Sequence, residues 1–367
     1  MSANHSDMST ADAVSSERPA PPHTIFDRSQ KRLLAALVST AATFSTLASN
    51  IYFPAVPSIA QGLNVSVELV NLSITAYLIF QGIAPSLWGP ISDVKGRRTA
   101  YIGTLFVAVC ACIGLAETRN YAMLVVFRCL QSTGSARPIR ILISKQAAPL
   151  VLFFAVYFAV WQMTITAMAT LFKEHYGLTE IQSGLTFIAN GAGSMVGTLI
   201  TGRILDKDYR RIKERHLAET TLSGEEKVFP LERARLRLVP IFAGLQCLSV
   251  MLFGWTVQYS SHVHISIPII SSFITGWTAV SNQSIVTTYL VDVFYDSSAA
   301  ASASLNMARC CLAAGGSSFV MPMVNGVGCG VAFTICVAAQ ICASAGLVIQ
   351  LRYGGLWRNE MEKMLSR

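Results

Sequence analysis

Ionised side chains are scarce and unevenly placed. Asp, Glu, Lys and Arg make up 13% of the 367 residues, whereas 52% are hydrophobic, and mean hydropathy is +0.49. Soluble globular chains carry roughly a quarter charged residues, so that class is excluded and a membrane protein is implied. Metal-site chemistry is missing too. The nine cysteines (Cys110, Cys112, Cys129, Cys247, Cys310, Cys311, Cys329, Cys336 and Cys342) lie in or beside apolar runs, without the histidine spacing of a ligand set. They read as small apolar thiols in lipid. His262 and His264 are too few to hold a metal. No phosphate-cradling glycine loop or catalytic triad is present, which argues against an enzyme and implies no cofactor. Residues 1–32 lack an apolar signal-peptide core and carry Pro19, Pro21 and Pro22, so they are expected to form a disordered cytoplasmic tail.

The chain is instead rich in apolar length. A helix needs about 20 mostly apolar residues to cross about 30 Å of hydrocarbon. Runs of that kind lie near 33–54, 69–92, 99–117, 149–172, 183–205, 238–258, 265–290, 299–323 and 328–351. A tenth, 120–136, is short and contains Arg128. It is either a crossing or a partly inserted segment.

The net charge of +8 does not point to nucleic acid once its distribution is read. With ten crossings and an inner amino terminus, the cytoplasmic segments collect Arg28, Lys31, Arg32, Lys95, Arg97, Arg98, Arg137, Arg140 and Lys145. They also collect the basic residues from Arg203 to Arg237, and Arg352, Arg358, Lys363 and Arg367. The outer loops hold only Arg119 and Lys173. That asymmetry orients a multi-pass protein. It also requires an even number of crossings before residue 137, and the short run 120–136 supplies the fourth.

One piece of punctuation occurs twice. GPISDVKGRR at 89–98 and GRILDKDYRR at 202–211 each come after an apolar run, 113 residues apart. Each places a glycine four residues before an aspartate and ends in an arginine pair: Gly89, Asp93, Arg97 and Arg98, then Gly202, Asp206, Arg210 and Arg211, with Gly96 inside the first copy. Glycine admits close helix approach, and the aspartate can accept from an arginine or cap the next helix. A charged turn explains the arginines but not the matched spacing, which indicates a duplicated bundle.

GPISDVKGRR resembles the signature loop between helices 2 and 3 of the major facilitator superfamily, and GRILDKDYRR its counterpart between helices 8 and 9. SNIYFPAVPSIA, TAYLIFQGIAPSLWGP, FRCLQSTGSA, YGLTEIQSGL, the segment around YLVDVFY and SASLNMARCCLAAGGSS are similar to fungal drug:proton antiporters of the quinidine-resistance type. The resemblance covers nearly all of residues 33–352. It implies an all-α membrane fold of two helical bundles. The spacing of 113 residues departs from that pattern, because six spans with loops need on the order of 170 residues. Residues 33–136 read as helices 1–4, 137–148 as a cytoplasmic linker and 149–352 as helices 7–12 with a cytoplasmic loop at 206–237, in which a surface helix is expected around 208–220. Residues 353–367 form a cytoplasmic tail. Helices 5 and 6 are missing, leaving four helices plus six. A hairpin lost as a pair preserves the sidedness of every later helix.

Polar groups within spans mark a candidate pathway. Arg128 lies roughly 12 Å and Arg309 roughly 15 Å from the inner ends of their runs, at 1.5 Å per residue. Both are therefore too deep to snorkel and either face a cavity or hydrogen-bond neighbouring backbone. The resemblance associates Arg128 and Gln131 with proton coupling and matches Asn306 and Arg309 to helix 11. Asn50, Tyr52, Tyr77, Gln81, Trp161, Gln162, Asn190, Trp277, Asn282, Gln283 and Tyr289 are further candidates, and some rings near interfaces would serve equally as anchors. No carboxylate falls at mid-membrane depth: Asp93, Asp206, Asp292 and Asp296 sit at inner ends, and Glu68, Glu117 and Glu174 outside. Gly193 and Gly197 have small-xxx-small spacing.

The partners implied are the lipid bilayer, protons and a hydrophobic or cationic small molecule, with no nucleic acid. The resemblance implies proton-coupled drug export at the plasma membrane. A transport-inactive remnant that partners full-length relatives is the alternative, because four helices facing six would open one side of the pathway to lipid. Single cysteines substituted for Asp93 and for Asp206 should react with a membrane-impermeant thiol reagent from the same face. Labelling from opposite faces would contradict the duplicated arrangement.

Overall fold

The computed structural model describes residues 27, 29, 30, 33, 52–83, 97–132, 144, 147–223, 230–294 and 298–365. Two compact units divide the chain, Met1–Asn50 and Ile51–Arg367. In the first, the Asp27 backbone N–H donates to Gln30 Oε1 at 3.2 Å, and most of the first apolar run, including Asn50, lies outside the described residues.

The second unit is built of helices and short turns, with no strand among its described residues. Hydrocarbon offers backbone groups no water, so each segment must satisfy its own. The helices are α1 (Tyr52–Gly62), α2 (Val67–Ile83), α3 (Arg97–Ala116), α4 (Tyr121–Gln131), α5 (Ala148–Tyr176), α6 (Glu180–Val196), α7 (Gly202–Ser223), α8 (Leu231–Leu236), α9 (Val239–Gln258), α10 (Ser266–Val293), α11 (Ser298–Val327) and α12 (Cys329–Leu365). A π-helical turn, Gly197–Thr201, fuses α6 to α7, and α8 runs on into α9 as one apolar helix, Leu231–Gln258. Counted as continuous rods, the described residues of the second unit form ten helices, four before residue 137 and six after it. Four of them, Ala148–Tyr176, Leu231–Gln258, Ala300–Val327 and Cys329–Arg358, are long and apolar enough to cross a membrane by themselves.

Helix ends carry local signals. Asn120 Oδ1 accepts from the Met123 N–H at 2.9 Å to start α4. Thr179 and Gln182 form a reciprocal capping box at α6. Gly177, at φ 63°, ends α5 in the left-handed region that a Cβ disfavours. The helical part of the short fourth run is only 11 residues, Tyr121–Gln131, with Ser132 as its C-cap. Its remainder lies outside the described residues.

The second punctuation is itself helical, and the surface helix expected around 208–220 begins earlier, at Gly202. Residues 202–211 are helical, the first half of α7, and Asp206, Arg210 and Arg211 lie exposed along it. DKDYRRIKERH holds no glycine or proline and carries opposite charges three and four residues apart, so nothing in that stretch breaks a helix. Gly89, Asp93 and Gly96 of the first copy lie outside the described residues; Arg97 opens α3 and Arg98 is exposed.

The most enclosed helix is α5, with Phe153, Phe154, Leu171 and Phe172 fully buried. It packs against α11, α12, α9 and α10, and against α1 and α6. Helices α1–α4 join this framework chiefly through α2 on α11. Small and hydroxylated residues make the tight contacts. A Cβ at Gly193 would overlap the Phe273 carbonyl, and one at Gly197 would lie 2.7 Å from the Trp277 carbonyl. The small-xxx-small pair therefore seats α6 on α10. Along the facing side of α10, Ser271, Ser272, Thr275, Thr278, Ser281 and Asn282 are buried. Their hydroxyls return to carbonyls one turn back, as from Ser271 to Pro268 and Thr275 to Ser271, which keeps polar atoms satisfied in hydrocarbon.

Gly193→Val should destabilise the detergent-solubilised protein by about 1–3 kcal/mol through overpacking, read as a lowered Tm. Gly191→Ala, which meets nothing within 4 Å, should leave Tm unchanged. Equal shifts would show that the α6–α10 approach is not what Gly193 provides.

Candidate functional site

Two arginines at depth organise the polar interior. Arg128 on α4 is 1% exposed. Its guanidinium carbon stands 3.7 Å from the ring centroid of Tyr52 on α1 and 4.6 Å from that of Tyr77 on α2. Nη1 donates to Gln131 Oε1 at 3.0 Å, and Gln131 Nε2 donates to Cys112 Sγ on α3 at 3.3 Å. The Ser73 hydroxyl donates its proton to the Val70 carbonyl at 2.7 Å, so the 2.8 Å bond between Tyr52 and Ser73 has Tyr52 as donor. Arg128 is thus held by two aromatic faces and an amide, with no carboxylate among its contacts. Its Nε is buried without a partner.

The second arginine knots three helices. Arg309 on α11 donates from Nε and Nη2 to Asn306 Oδ1 at 2.9 and 2.6 Å, and its guanidinium lies 4.4 Å from the ring centroid of Phe158 on α5. Asn306 Nδ2 donates to the Gln81 carbonyl at 3.1 Å, and Cys310 Sγ donates to Gln81 Oε1 at 3.6 Å. Thr75 extends the seam, bonding to Ser318 and to the Ala314 carbonyl. Tyr77 and Gln81 are one turn apart on α2, which places them on one face. The same face of α2 therefore serves both arginines.

The remaining predicted pathway residues divide. Trp161 stacks edge-on against Phe158, centroids 5.3 Å apart, so it shares that ring with Arg309, and its Nε1 is buried without a partner. Gln162 is buried on α5, its carbonyl accepting from Thr166. Gln283 is half-buried on α10. Asn190 and Asn282 tie helices together: Asn190 Nδ2 donates to the Ser272 carbonyl at 2.8 Å, and Asn282 Nδ2 donates to Gln246 Oε1 at 3.2 Å. Gln246 in turn donates to the Tyr157 carbonyl at 3.0 Å. Trp277 Nε1 reaches Thr201 in the π turn at 3.4 Å, and Tyr289 accepts from Gln350 at 2.9 Å.

Sequence reading missed an ionic cluster at the basic end. Arg235 Nε donates to Asp292 Oδ2 at 2.7 Å with its guanidinium 3.8 Å from the Tyr209 ring centroid, and Arg358 pairs with Glu232 at 3.3 Å. The sequence signal was opposite charge at the ends of several runs, but pairing such ends needs the helix neighbours. Among the described residues no group of three or more His, Cys, Asp or Glu side chains is placed to hold a metal.

Comparison with known proteins fits this frame. The family model described as Major Facilitator Superfamily matches residues 38–139 and 133–318. Citrate exporter 1 of Aspergillus niger is 27% identical over 488 aligned positions, covering 98% of this chain and 92% of that protein. MFS-type transporter tstD of Talaromyces stipitatus is 25% identical over 472 positions, 92% of this chain and 85% of that protein. MFS antiporter QDR2 of Candida albicans is 24% identical, covering 90% of each chain. Since 98% of 367 residues is about 360, about 128 of the 488 positions in the first alignment have no residue here. The two family segments meet at 133–139, where the sequence passes from the fourth run into the linker.

Tyr52→Leu should remove one of the two faces holding Arg128 and lower stability by about 2 kcal/mol or more. Tyr52→Phe, which keeps the ring and loses one hydrogen bond, should cost about 1 kcal/mol. Thermal unfolding of both variants checks this; equal losses would assign the stabilisation to the hydroxyl instead.

Proposed function

The chain belongs to the major facilitator superfamily, and from that premise we propose that it exports small organic anions, with Arg128 and Arg309 as the cationic part of the pathway. It is an integral multi-pass membrane protein of a transporter family.

One observation carries the reading. Among the described residues the charged side chains at mid-span depth are arginines, and neither has a carboxylate partner. Charge at depth is expensive and by default marks a pathway, and two guanidinium groups repel a cation while offering forked donors to a carboxylate. The unpartnered Nε of Arg128 is such a donor. A carboxylate cargo also brings its own titratable group, so coupling to protons needs no mid-span acid from the protein. The name of the Aspergillus niger relative, a citrate exporter, supports this class of cargo.

Export of hydrophobic or cationic drugs is the second reading, supported by the antiporter names of the Candida albicans relatives and by the aromatic surfaces of Tyr52, Tyr77, Phe158 and Trp161. On either reading the plasma membrane is the proposed site, with both termini cytoplasmic and the bundles bounded at 33–136 and 149–352.

Proteoliposomes holding the full chain and loaded with labelled citrate or with a cationic dye separate the readings. Citrate release above empty vesicles, reduced at least about tenfold by Arg309→Gln at unchanged dye release, is the expected outcome. Dye release alone would establish the drug reading. Background release of both would leave a chain that has lost transport with its fifth and sixth helices.

A further inference from the structure

At the basic end, α7, α8 and α12 border an open cavity of about 660 Å³ whose lining includes Arg215, Arg233, Arg237, Glu219, Ile212 and Leu351. The three arginines arrive from two elements, Arg215 from α7 and the other two from α8 and the residue just past its end. All three are exposed, and among the described residues none has an ion pair or hydrogen bond. Their neighbours are different. Arg235 is matched with Asp292 and Arg358 with Glu232, so those two acids are already committed. Three guanidinium groups then face one carboxylate, Glu219, across the cavity.

The rest of the lining is Ile212, Pro230, Leu351 and the half-buried imidazole of His216. Leu351 lies near the end of the membrane-crossing stretch Cys329–Arg358, which sets the cavity at the boundary between hydrocarbon and water. Ile341 and Val348, both exposed, lie seven residues apart on α12, and Leu351 comes three residues later on the same side. This apolar strip leads along the helix into the cationic chamber. A ligand that fits has an anionic head and an apolar tail. Basic pockets between helices at the cytoplasmic surface are suited to phosphate-bearing lipid headgroups, and guanidinium forks match phosphate oxygens.

We propose that the chamber of Arg215, Arg233 and Arg237 binds the phosphate headgroup of an anionic phospholipid from the cytoplasmic leaflet, with an acyl chain lying along Ile341, Val348 and Leu351. The site rests on the orientation read from the charge asymmetry and is independent of which cargo is carried.

The full chain in mild detergent, offered equal phosphatidylserine and phosphatidylcholine and read by native mass spectrometry, tests it. Phosphatidylserine should be retained preferentially. The set R215Q, R233Q and R237Q should weaken retention by roughly fivefold per arginine, or about a hundredfold together. The set R215K, R233K and R237K should keep most of it, and K213Q, on α7 outside the chamber, should keep all of it. Excess inorganic phosphate should leave the lipid in place. Equal retention by the parent and the glutamine set, or a loss with K213Q as large as with that set, overturns the site. Displacement by inorganic phosphate overturns the lipid and makes the chamber a site for a soluble anion. Because the readout is lipid retention, none of these outcomes bears on transport.

Discussion

The cost of polar groups in hydrocarbon governs this structure, and Arg128 is its most demanding case. An arginine at the centre of a membrane helix costs about 2.5–3.5 kcal/mol on insertion scales. A desolvated cation over an aromatic face regains about 2 kcal/mol, and Arg128 has two such faces, from Tyr52 and Tyr77, with a bond to Gln131 as well. The sums are of similar size, so the charge is held without a counter-ion. The arrangement fixes where α1, α2 and α4 must meet, because each supplies one part of the cage.

The same constraint explains the helix pairings elsewhere. On α10 a run of serines and threonines would be costly in lipid if turned outward. It faces α6 and α9 instead, and the close approach permitted by Gly193 and Gly197 gives those hydroxyls and the Asn190 amide their partners. The α2–α11 seam repeats the pattern with Thr75, Ser318, Gln81 and Asn306. Across that seam one face of α2 touches both arginine sites. A rotation of α2 would disturb Tyr77 at Arg128 and Gln81 at Arg309 together, which is a physical route for one half to sense the other.

Asn190 and Asn282 show why depth alone does not separate pathway residues from packing residues. A buried amide in a span is equally required by a channel and by a helix contact, and the linear sequence does not distinguish them. Ser272 and Gln246, their partners, are 82 and 36 residues distant in the chain. Arg309 was legible as important by its charge, whereas its attachment to Phe158 depends on how α5 threads the centre of the fold.

Sequence by itself determined the class of fold, the ten helices, the four-plus-six division and the basic end, because each arises from apolar length or from lysine and arginine placement, which act locally along the chain. It also identified Gly193 and Gly197 as a packing pair by spacing. Only the tertiary structure decided that Tyr52 and Tyr77 close over Arg128, and that Arg235 and Arg358 take Asp292 and Glu232 while Arg215, Arg233 and Arg237 are left to line a cavity. Those outcomes depend on which helices lie side by side, and the free energy that selects neighbours in lipid comes from small-residue contacts and shared hydrogen bonds between segments far apart in sequence.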